Sequence, residues 1–143
     1  MTRATLYADG GARGNPGPAG SGAVLLDERG EVIAELRRSL GHATNNVAEY
    51  TGLIIGLEEA LKRGIDELDV RMDSLLVVQQ MNGRWKIKHP NMKPLALLAG
   101  QLLATFDART IRHVPREQNA IADALSNKAI DDAAPRPTER DRA

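Results

Sequence analysis

Along the first forty residues, the hydrophobic positions form short apolar or alternating segments, the pattern typical of β-strands. Such segments cover residues 5–8, 21–26 and 31–40, and the polar run 27–30 marks a turn between the last two. Residues 10–20 are so rich in glycine and proline that we expect neither helix nor regular strand there. The pattern therefore predicts three successive antiparallel strands.

Beyond residue 44 the apolar spacing changes to the three- and four-residue repeat of amphipathic helices. Thr44, Asn45 and Asn46 can cap a helix over residues 47–62, and Gly64 follows its end. Later segments predict, in order, a strand over 68–72, helices over 75–81 and 91–105, a strand over 110–114 and a helix over 120–130. The strand–helix–strand step indicates a right-handed parallel crossover, so we predict an α/β fold.

Length and composition fit one small domain without covalent cross-links. We place its core in residues 1–131, whereas the polar, proline-containing residues 132–143 are predicted to form a disordered tail. The absence of cysteine excludes disulfides, thiolate metal sites and cysteine catalysis. Because the formal net charge is zero, any binding to nucleic acid must use a local basic patch.

No segment of the sequence suggests a membrane or a secreted location. It shows no N-terminal apolar run like a signal peptide and no apolar stretch long enough to span a bilayer. We therefore expect a cytoplasmic protein without a membrane partner. Since neither the net charge nor the tail indicates a protein partner, we also expect a monomer.

Four acidic residues stand where their carboxylates can meet. Asp9 follows the first predicted strand and Asp73 the fourth, so both emerge at one sheet edge if these strands are parallel neighbours. Glu49 and Asp123 each lie near the start of a predicted helix. Mg²⁺ prefers oxygen ligands, and two such ions about 4 Å apart can support phosphodiester cleavage. Taken singly, each acid is also a common turn former or helix-dipole partner.

Four short motifs follow one another along the chain: Asp9-Gly10-Gly11-Ala12-Arg13-Gly14-Asn15-Pro16-Gly17, Thr44-Asn45-Asn46-Val47-Ala48-Glu49, Met72-Asp73-Ser74 and Asn119-Ala120-Ile121-Ala122-Asp123. In this order they resemble type 1 ribonuclease H, and the resemblance covers residues 5 to 130. The first two motifs are specific in combination, whereas the last two are weak alone. The shortened chain is similar to the compact subgroup found in archaea and some bacteria.

The resemblance implies a ribonuclease H-like fold, with a five-stranded mixed sheet flanked by helices. It implies that Asp9, Glu49, Asp73 and Asp123 hold two Mg²⁺ ions, with Mn²⁺ as an alternative. The implied reaction is endonucleolytic cleavage of the RNA strand of an RNA–DNA hybrid, leaving 3′-hydroxyl and 5′-phosphate ends. Glu49 would also lie near the RNA 2′-hydroxyl and the attacking water.

The motifs also contain candidates for substrate binding. Gly10 and Gly11 allow the backbone to approach a phosphate or ribose closely. Asn15, Asn45 and Asn46 offer donors and acceptors to a minor groove, where 2′-hydroxyls distinguish RNA from DNA. For Asn45 and Asn46, helix capping explains the sequence equally well.

A basic connector, residues 85–90, follows the short predicted helix. Together with Thr44, it is a candidate for contacts to the DNA strand. Thr44 resembles the family residue that helps to grip a DNA phosphate. Between Met81 and Asn91 the chain is too short for the extra helix and basic protrusion that many family members carry. What remains is a reduced basic patch made of Arg84, Trp85, Lys86, Lys88 and Lys93. An aromatic among lysines suits backbone binding and stacking, although Trp85 could instead belong to a small core cluster.

The loop before the last helix departs from the family pattern. Many relatives place a histidine there, but this chain has Val114-Pro115-Arg116-Glu117-Gln118. Arg116 is the nearest replacement; it stays protonated, so it can stabilise phosphate charge or assist product release but cannot be a general base. His113 is a second candidate, and the sequence leaves the choice open.

Other functions remain compatible with the sequence. The same fold serves integrases, transposases and junction resolvases, because function resides in the site and not in the fold. A non-catalytic module that binds hybrids or duplex RNA is a further alternative, although the complete set of acids argues against it. The compact subgroup also makes RNA–RNA duplexes a candidate substrate. A third alternative is an ordinary phosphate-binding domain that uses the Gly10–Gly17 loop, but this loop lacks the Gly-Lys-Ser/Thr ending that a P-loop requires.

Overall fold

The computed structural model describes residues 2–133, and at its centre lies a five-stranded sheet with the order β3-β2-β1-β4-β5. The strands are β1 (Arg3–Ala12), β2 (Gly17–Leu26), β3 (Val32–Ala43), β4 (Glu67–Met72) and β5 (Ala108–His113). The pairs β1–β2 and β2–β3 are antiparallel, whereas β1–β4 and β4–β5 are parallel. The predicted mixed α/β sheet is confirmed.

Helices cover both faces of this sheet. They are α1 (Asn45–Lys62), α2 (Leu75–Met81), α3 (Lys93–Thr105) and α4 (Ala120–Ala133), with a single 3₁₀ turn over Arg116–Gln118. Gly56 of α1 faces Leu6, whereas the backbone of α4 faces Gly22, which pairs with Asp9. Because side chains alternate along a strand, Leu6 and Asp9 point to opposite faces, and α1 and α4 therefore lie on opposite sides.

The main core lies between the sheet and α1, which is buried along most of its length because α3 packs on its other side. The largest fully buried side chains include Tyr50, Leu53 and Leu57 of α1 and Leu6 and Met72 of the sheet. This core fixes α1 against β1. Within residues 2–133, none of the helices has both the length and the apolar character needed to cross a lipid bilayer.

The glycine-rich run corrects one expectation. β1 continues to Ala12 and β2 begins at Gly17, so only residues 13–16 form the turn, and the prediction that all of residues 10–20 avoid regular strand is wrong. The ladder pairs Ala12 with Ala19. Glycine has only a weak intrinsic preference for extended structure, but backbone hydrogen bonds between strands need no side chains. Pairing with neighbouring strands therefore holds these glycines in strand conformation.

Element ends differ slightly from the expected positions. α4 continues through Asp132 to Ala133, so the first two residues of the predicted tail are helical, and residues 134–143 of that tail lie outside the described residues. α3 begins at Lys93 instead of residue 91, with Pro94 in its first turn, where a missing N–H costs nothing. None of these shifts moves a candidate site residue to another element.

A buried hydrogen bond connects the core to the basic connector. The Tyr50 side chain is fully buried, and its hydroxyl donates to Gln80 Oε1 at 2.6 Å. Gln80 Nε2 in turn donates to the carbonyl of Lys86 at 3.2 Å. The end of α2 and the connector after it are thereby held to α1.

Replacing Tyr50 by Phe should lower the free energy of unfolding by about 1–3 kcal/mol, because Gln80 Oε1 loses its donor in a buried place. Urea unfolding measures this difference. Tyr7→Phe is the matched control: the half-buried Tyr7 hydroxyl accepts from Arg71 Nη1 at 2.7 Å, and water can replace that contact. Equal losses in the two variants would contradict the role given to the buried pair.

Candidate active site

Asp9 and Asp73 lie side by side at the carboxyl edge of two parallel strands. Asp9 is within β1, three residues before its end, and only 6% of its surface is exposed. Asp73 directly follows β4, whose last residue Met72 pairs with Ala8. The sequence placed Asp9 after its strand, which is wrong, but the predicted adjacency of the two strands is confirmed.

Glu49 reaches this edge because α1 lies directly against the backbone of β1. A Cβ on Gly10 would stand 2.1 Å from the carbonyl carbon of Ala48, and one on Gly52 would stand 2.3 Å from the carbonyl oxygen of Asp9. Any side chain at either position would push the helix away. The missing side chain of Gly10 therefore makes room for α1, and Gly11 is the more open of the two glycines.

Asn119, just before α4, connects Asp123 with the strand ends. Its side chain is buried, and Nδ2 donates to the carbonyl of Ala8 at 3.0 Å and to Asp73 Oδ1 at 3.3 Å. Its carbonyl accepts from the backbone N–H of Asp123 at 3.0 Å. No role for Asn119 could be predicted from the sequence, because an asparagine before a helix is an ordinary cap; only its spacing from Asp123 was a signal.

The four acids line one open cavity of about 300 Å³. Besides Asp9, Glu49, Asp73 and Asp123, the predicted site residues that line it are Gly10, Gly11, Asn45 and Arg116. The remaining candidates lie outside its walls: Asn15, Thr44, Asn46, Arg84, Trp85, Lys86 and Lys88. The catalytic candidates therefore converge, whereas the candidates for binding are spread over the surrounding surface.

Burial and mutual repulsion raise the pKa values of two of these acids. Burial is the main cause that raises the pKa of Asp9 to about 8, and the charges of Asp73 and Asp123 add to it. Burial also raises the pKa of Glu49 to about 7; a hydrogen bond from Ser74 partly offsets this rise, and the charge of Asp73 adds a smaller contribution to it. Near neutral pH, the cavity therefore does not carry four negative charges unless a cation balances them.

The donor set fits a hard divalent cation. All four candidate ligands are carboxylates, and none of the histidines in the described part of the chain lines the cavity. Among residues 2–133, no three acidic or histidine side chains already surround one point as a closed metal cage would. Mg²⁺ does not need such a cage, because it keeps several waters and commonly takes one or two carboxylates together with substrate phosphate oxygens.

Of the two candidates for the missing loop histidine, Arg116 is the one that reaches the cavity. It belongs to the 3₁₀ turn before α4, and its Nη2 lies 3.9 Å from Asp123 Oδ1. His113 ends β5 and is exposed outside the cavity. The guanidinium of Arg116 therefore supplies a positive charge beside the carboxylates.

Thr44, Asn45 and Asn15 organise the start of α1. Thr44 is the N-cap, since its Oγ1 accepts from the Val47 N–H at 3.2 Å. Asn45 Oδ1 accepts from the Ala12 N–H at 2.8 Å, and the Asn45 N–H donates to Asn15 Oδ1 at 3.1 Å. Capping thus falls to Thr44, and Asn45 joins the helix to the end of β1 while it lines the cavity.

The basic connector is a solvent-exposed surface. Arg84, Trp85, Lys86, Lys88 and Lys93 are all exposed. Trp85 is 44% exposed, and Ile87 is the connector residue that packs against the core, so the alternative that Trp85 belongs to a core cluster is wrong. No aspartate or glutamate occurs between Asp73 and Asp107, so the connector lies in a segment with only positive charges.

Comparisons with known proteins agree with this fold. A family model described as reverse transcriptase-like matches residues 7–129. The bifunctional protein Rv2228c of Mycobacterium tuberculosis is 51% identical over 133 residues, which cover 92% of this chain and 36% of that protein. The chain therefore spans about a third of the length of the mycobacterial relatives that it matches.

Two further relatives match over most of this chain. Ribonuclease HI of Halobacterium salinarum is 47% identical over 131 residues, covering 92% of this chain and 66% of that protein. The crystal structure of RNase H1 from this archaeon gives a TM-score of 0.88 and covers 92% of this chain and 99% of that one. LC11-RNase H1, isolated from compost and solved in complex with an RNA/DNA hybrid, gives a TM-score of 0.85 at 45% identity, covering 91% of this chain and 98% of that one.

The raised pKa of Asp9 predicts how the stability of the cation-free protein depends on pH. Between its usual value of 3.8 and about 8, the folded state holds a proton that the unfolded state has lost. The free energy of unfolding should therefore fall as pH rises through this interval. Asp9→Asn removes this titration, so its stability relative to wild type should increase from pH 5 to pH 8 by at least ~1 kcal/mol.

Chemical denaturation in the presence of a chelator measures this pH dependence. Asp107→Asn is the control, because Asp107 is an exposed aspartate outside the cavity. Its stability should differ from wild type by the same amount at both pH values. A difference between Asp9→Asn and wild type that is constant with pH would contradict the raised pKa.

Proposed function

The chain belongs to the ribonuclease HI family, and we propose that it is a metal-dependent endoribonuclease that hydrolyses the RNA strand of RNA–DNA hybrids. The observation that carries this proposal is the convergence of Asp9, Glu49, Asp73 and Asp123 in one cavity. The raised pKa values of Asp9 and Glu49 support it, because they indicate a site in which negative charge lacks compensation. A cluster that served only the stability of the fold would not benefit from buried carboxylates that repel one another.

The four carboxylates would hold two Mg²⁺ ions, or Mn²⁺ in their place. When bound, these ions supply an activated water and stabilise the leaving oxygen, which gives 5′-phosphate and 3′-hydroxyl ends. The residues of the chain provide the geometry: β1 and β4 hold Asp9 and Asp73, the close contact of α1 with β1 holds Glu49, and Asn119 orients Asp73.

Arg116 would act on the phosphate and not as a base. An arginine guanidinium has hydrogen-bond donors and no acceptor, so it cannot take a proton from water. It lies at the rim of the cavity beside Asp123, where it can stabilise negative charge on the phosphate or assist the departure of the product.

Substrate binding would use two surfaces. Asn45 and the open backbone at Gly11 line the cavity, and we propose that they contact 2′-hydroxyls of the RNA strand. Thr44 Oγ1 accepts a hydrogen bond as the helix cap, and its O–H remains able to donate to a DNA phosphate. The exposed basic connector would contact the sugar–phosphate backbone, and the hybrid bound to LC11-RNase H1 supports this substrate class.

Labelled RNA–DNA, RNA–RNA and DNA–DNA duplexes, incubated with Mg²⁺, Mn²⁺ or a chelator, test the proposed activity. We expect cleavage of the RNA in the hybrid only with a divalent ion, and 5′-phosphate product ends. Asp9→Asn should lower the rate by about 100-fold or more, because charge stabilisation by metal ions is worth several kcal/mol. Asp107→Asn should cleave like wild type.

Each alternative gives a different result in this assay. Binding of the hybrid without cleavage would favour a non-catalytic module, and cleavage that needs no metal would contradict the proposed site. Cleavage of the RNA–RNA duplex at a comparable rate would extend the substrate range to duplex RNA. Wild-type activity in Asp9→Asn would remove the four-carboxylate cavity as the catalytic centre.

The basic connector yields a separate prediction. Trp85→Ala should raise KM for the hybrid about tenfold with little change in kcat, because stacking on an aromatic ring is worth ~1–3 kcal/mol. Leu97→Ala is the matched control, since Leu97 is an apolar residue of α3 that is 65% exposed. Steady-state kinetics measures both values, and the same KM in the two variants would contradict a substrate contact at Trp85.

A further inference from the structure

A second arginine lines the cavity, in addition to Arg116. Arg13 is the first residue of the turn between β1 and β2, and its side chain is half exposed at the cavity wall. Its Nη1 lies 2.7 Å from Asp131 Oδ1, near the end of α4. Among the residues that the structure describes, Arg13 and Arg116 are the only cationic residues lining this cavity.

The two arginines lie at different parts of the cavity wall. Arg116 is beside Asp123 in the first turn of α4, whereas Arg13 contacts Asp131, eight residues further along the same helix. At a rise of about 1.5 Å per residue, these two acidic positions are about 12 Å apart along the helix axis. A nucleic-acid strand that passes the carboxylates would therefore meet Arg13 away from the reacting phosphate.

The ion pair with Asp131 leaves N–H donors of the guanidinium available. Arginine has five N–H donors in a planar fork, more than one carboxylate contacted through Nη1 can occupy. Both partners are at least half exposed, so such a pair contributes little to stability, and in this structure Nη1 points toward Asp131. Arginine binds phosphate through paired hydrogen bonds, which suits a backbone contact.

We propose that Arg13 is a further substrate-binding residue, which contacts a backbone phosphate of the cleaved strand away from the reacting bond, and that Asp131 orients its guanidinium. The inference rests on the proposed function, because it takes the strand in the cavity to be a nucleic acid. The cleaved strand is the one bound, since Arg13 shares its cavity with the carboxylates and not with the basic connector.

The chain contains a matched control for this ion pair. Arg37 of β3 contacts Asp132, the next residue of α4, also at 2.7 Å. The exposed fractions are similar, 45% and 50% for Arg37 and Asp132 against 50% and 63% for Arg13 and Asp131. Arg37 does not line the cavity, so the two pairs differ mainly in their access to the substrate.

Cleavage kinetics on the hybrid at several salt concentrations test the proposal, with Arg13→Gln, Arg13→Lys, Asp131→Asn and the controls Arg37→Gln and Asp132→Asn. Arg13→Gln should raise KM about tenfold with kcat within twofold of wild type. It should also reduce the slope of log(kcat/KM) against log salt by about one, as expected for one lost phosphate contact. The two controls should leave KM and the slope unchanged.

The remaining variants separate charge from orientation. Arg13→Lys keeps the charge, so the salt slope should return to the wild-type value while KM stays above it. Asp131→Asn should raise KM less than Arg13→Gln and leave the slope unchanged. Identical KM and slope in Arg13→Gln and Arg37→Gln would overturn the proposal, and so would a loss confined to kcat.

Equilibrium binding of a fluorescent hybrid in the presence of a chelator keeps this inference separate from the proposed activity. If wild type binds but does not cleave, the proposed function fails, while weaker and less salt-dependent binding by Arg13→Gln than by Arg37→Gln still supports the phosphate contact. Equal binding by these two variants overturns the contact whether or not the protein cleaves. Thermal unfolding of each variant shows that the compared proteins are folded.

Discussion

The close contact between α1 and β1 is the constraint on which the candidate site depends. Gly10 and Gly52 bring the helix backbone within a distance that any side chain would prevent, and the buried face of α1 holds it there. This contact brings Glu49 into the cavity that Asp9 also lines. β4 then adds Asp73 through its parallel pairing with β1, and Asn119 adds Asp123 through the start of α4.

Bringing these carboxylates together has an electrostatic cost that the fold does not offset by itself. The pKa values of Asp9 and Glu49 lie near or above neutrality because both acids are buried and face other acids. Arg13 and Arg116 stand at the wall of the cavity, where they can meet substrate phosphates. The arrangement favours a divalent cation inside the cavity and a nucleic-acid backbone across it.

The sequence predicted those features that depend on local pattern and on chain order. Apolar periodicity predicted α1 and the crossover to β4, and the crossover predicted that Asp9 and Asp73 share an edge. The sequence could not predict that glycine-rich segments extend β1 and β2, because the strand pairing of these segments depends on neighbouring strands. The role of Asn119 was equally hidden, since its partners, the Ala8 carbonyl and Asp73, are distant along the chain.

The central claim is that this fold holds several carboxylates close together and that a divalent cation balances their negative charge. The ionisation state of Asp9 tests this claim. Carbon-13 NMR of the side-chain carboxyl group of Asp9, followed against pH in cation-free protein, measures it directly. We predict a midpoint near 8 and a shift of the midpoint to lower pH when Mg²⁺ is added. A midpoint near the usual 3.8 that does not respond to Mg²⁺ would contradict the account.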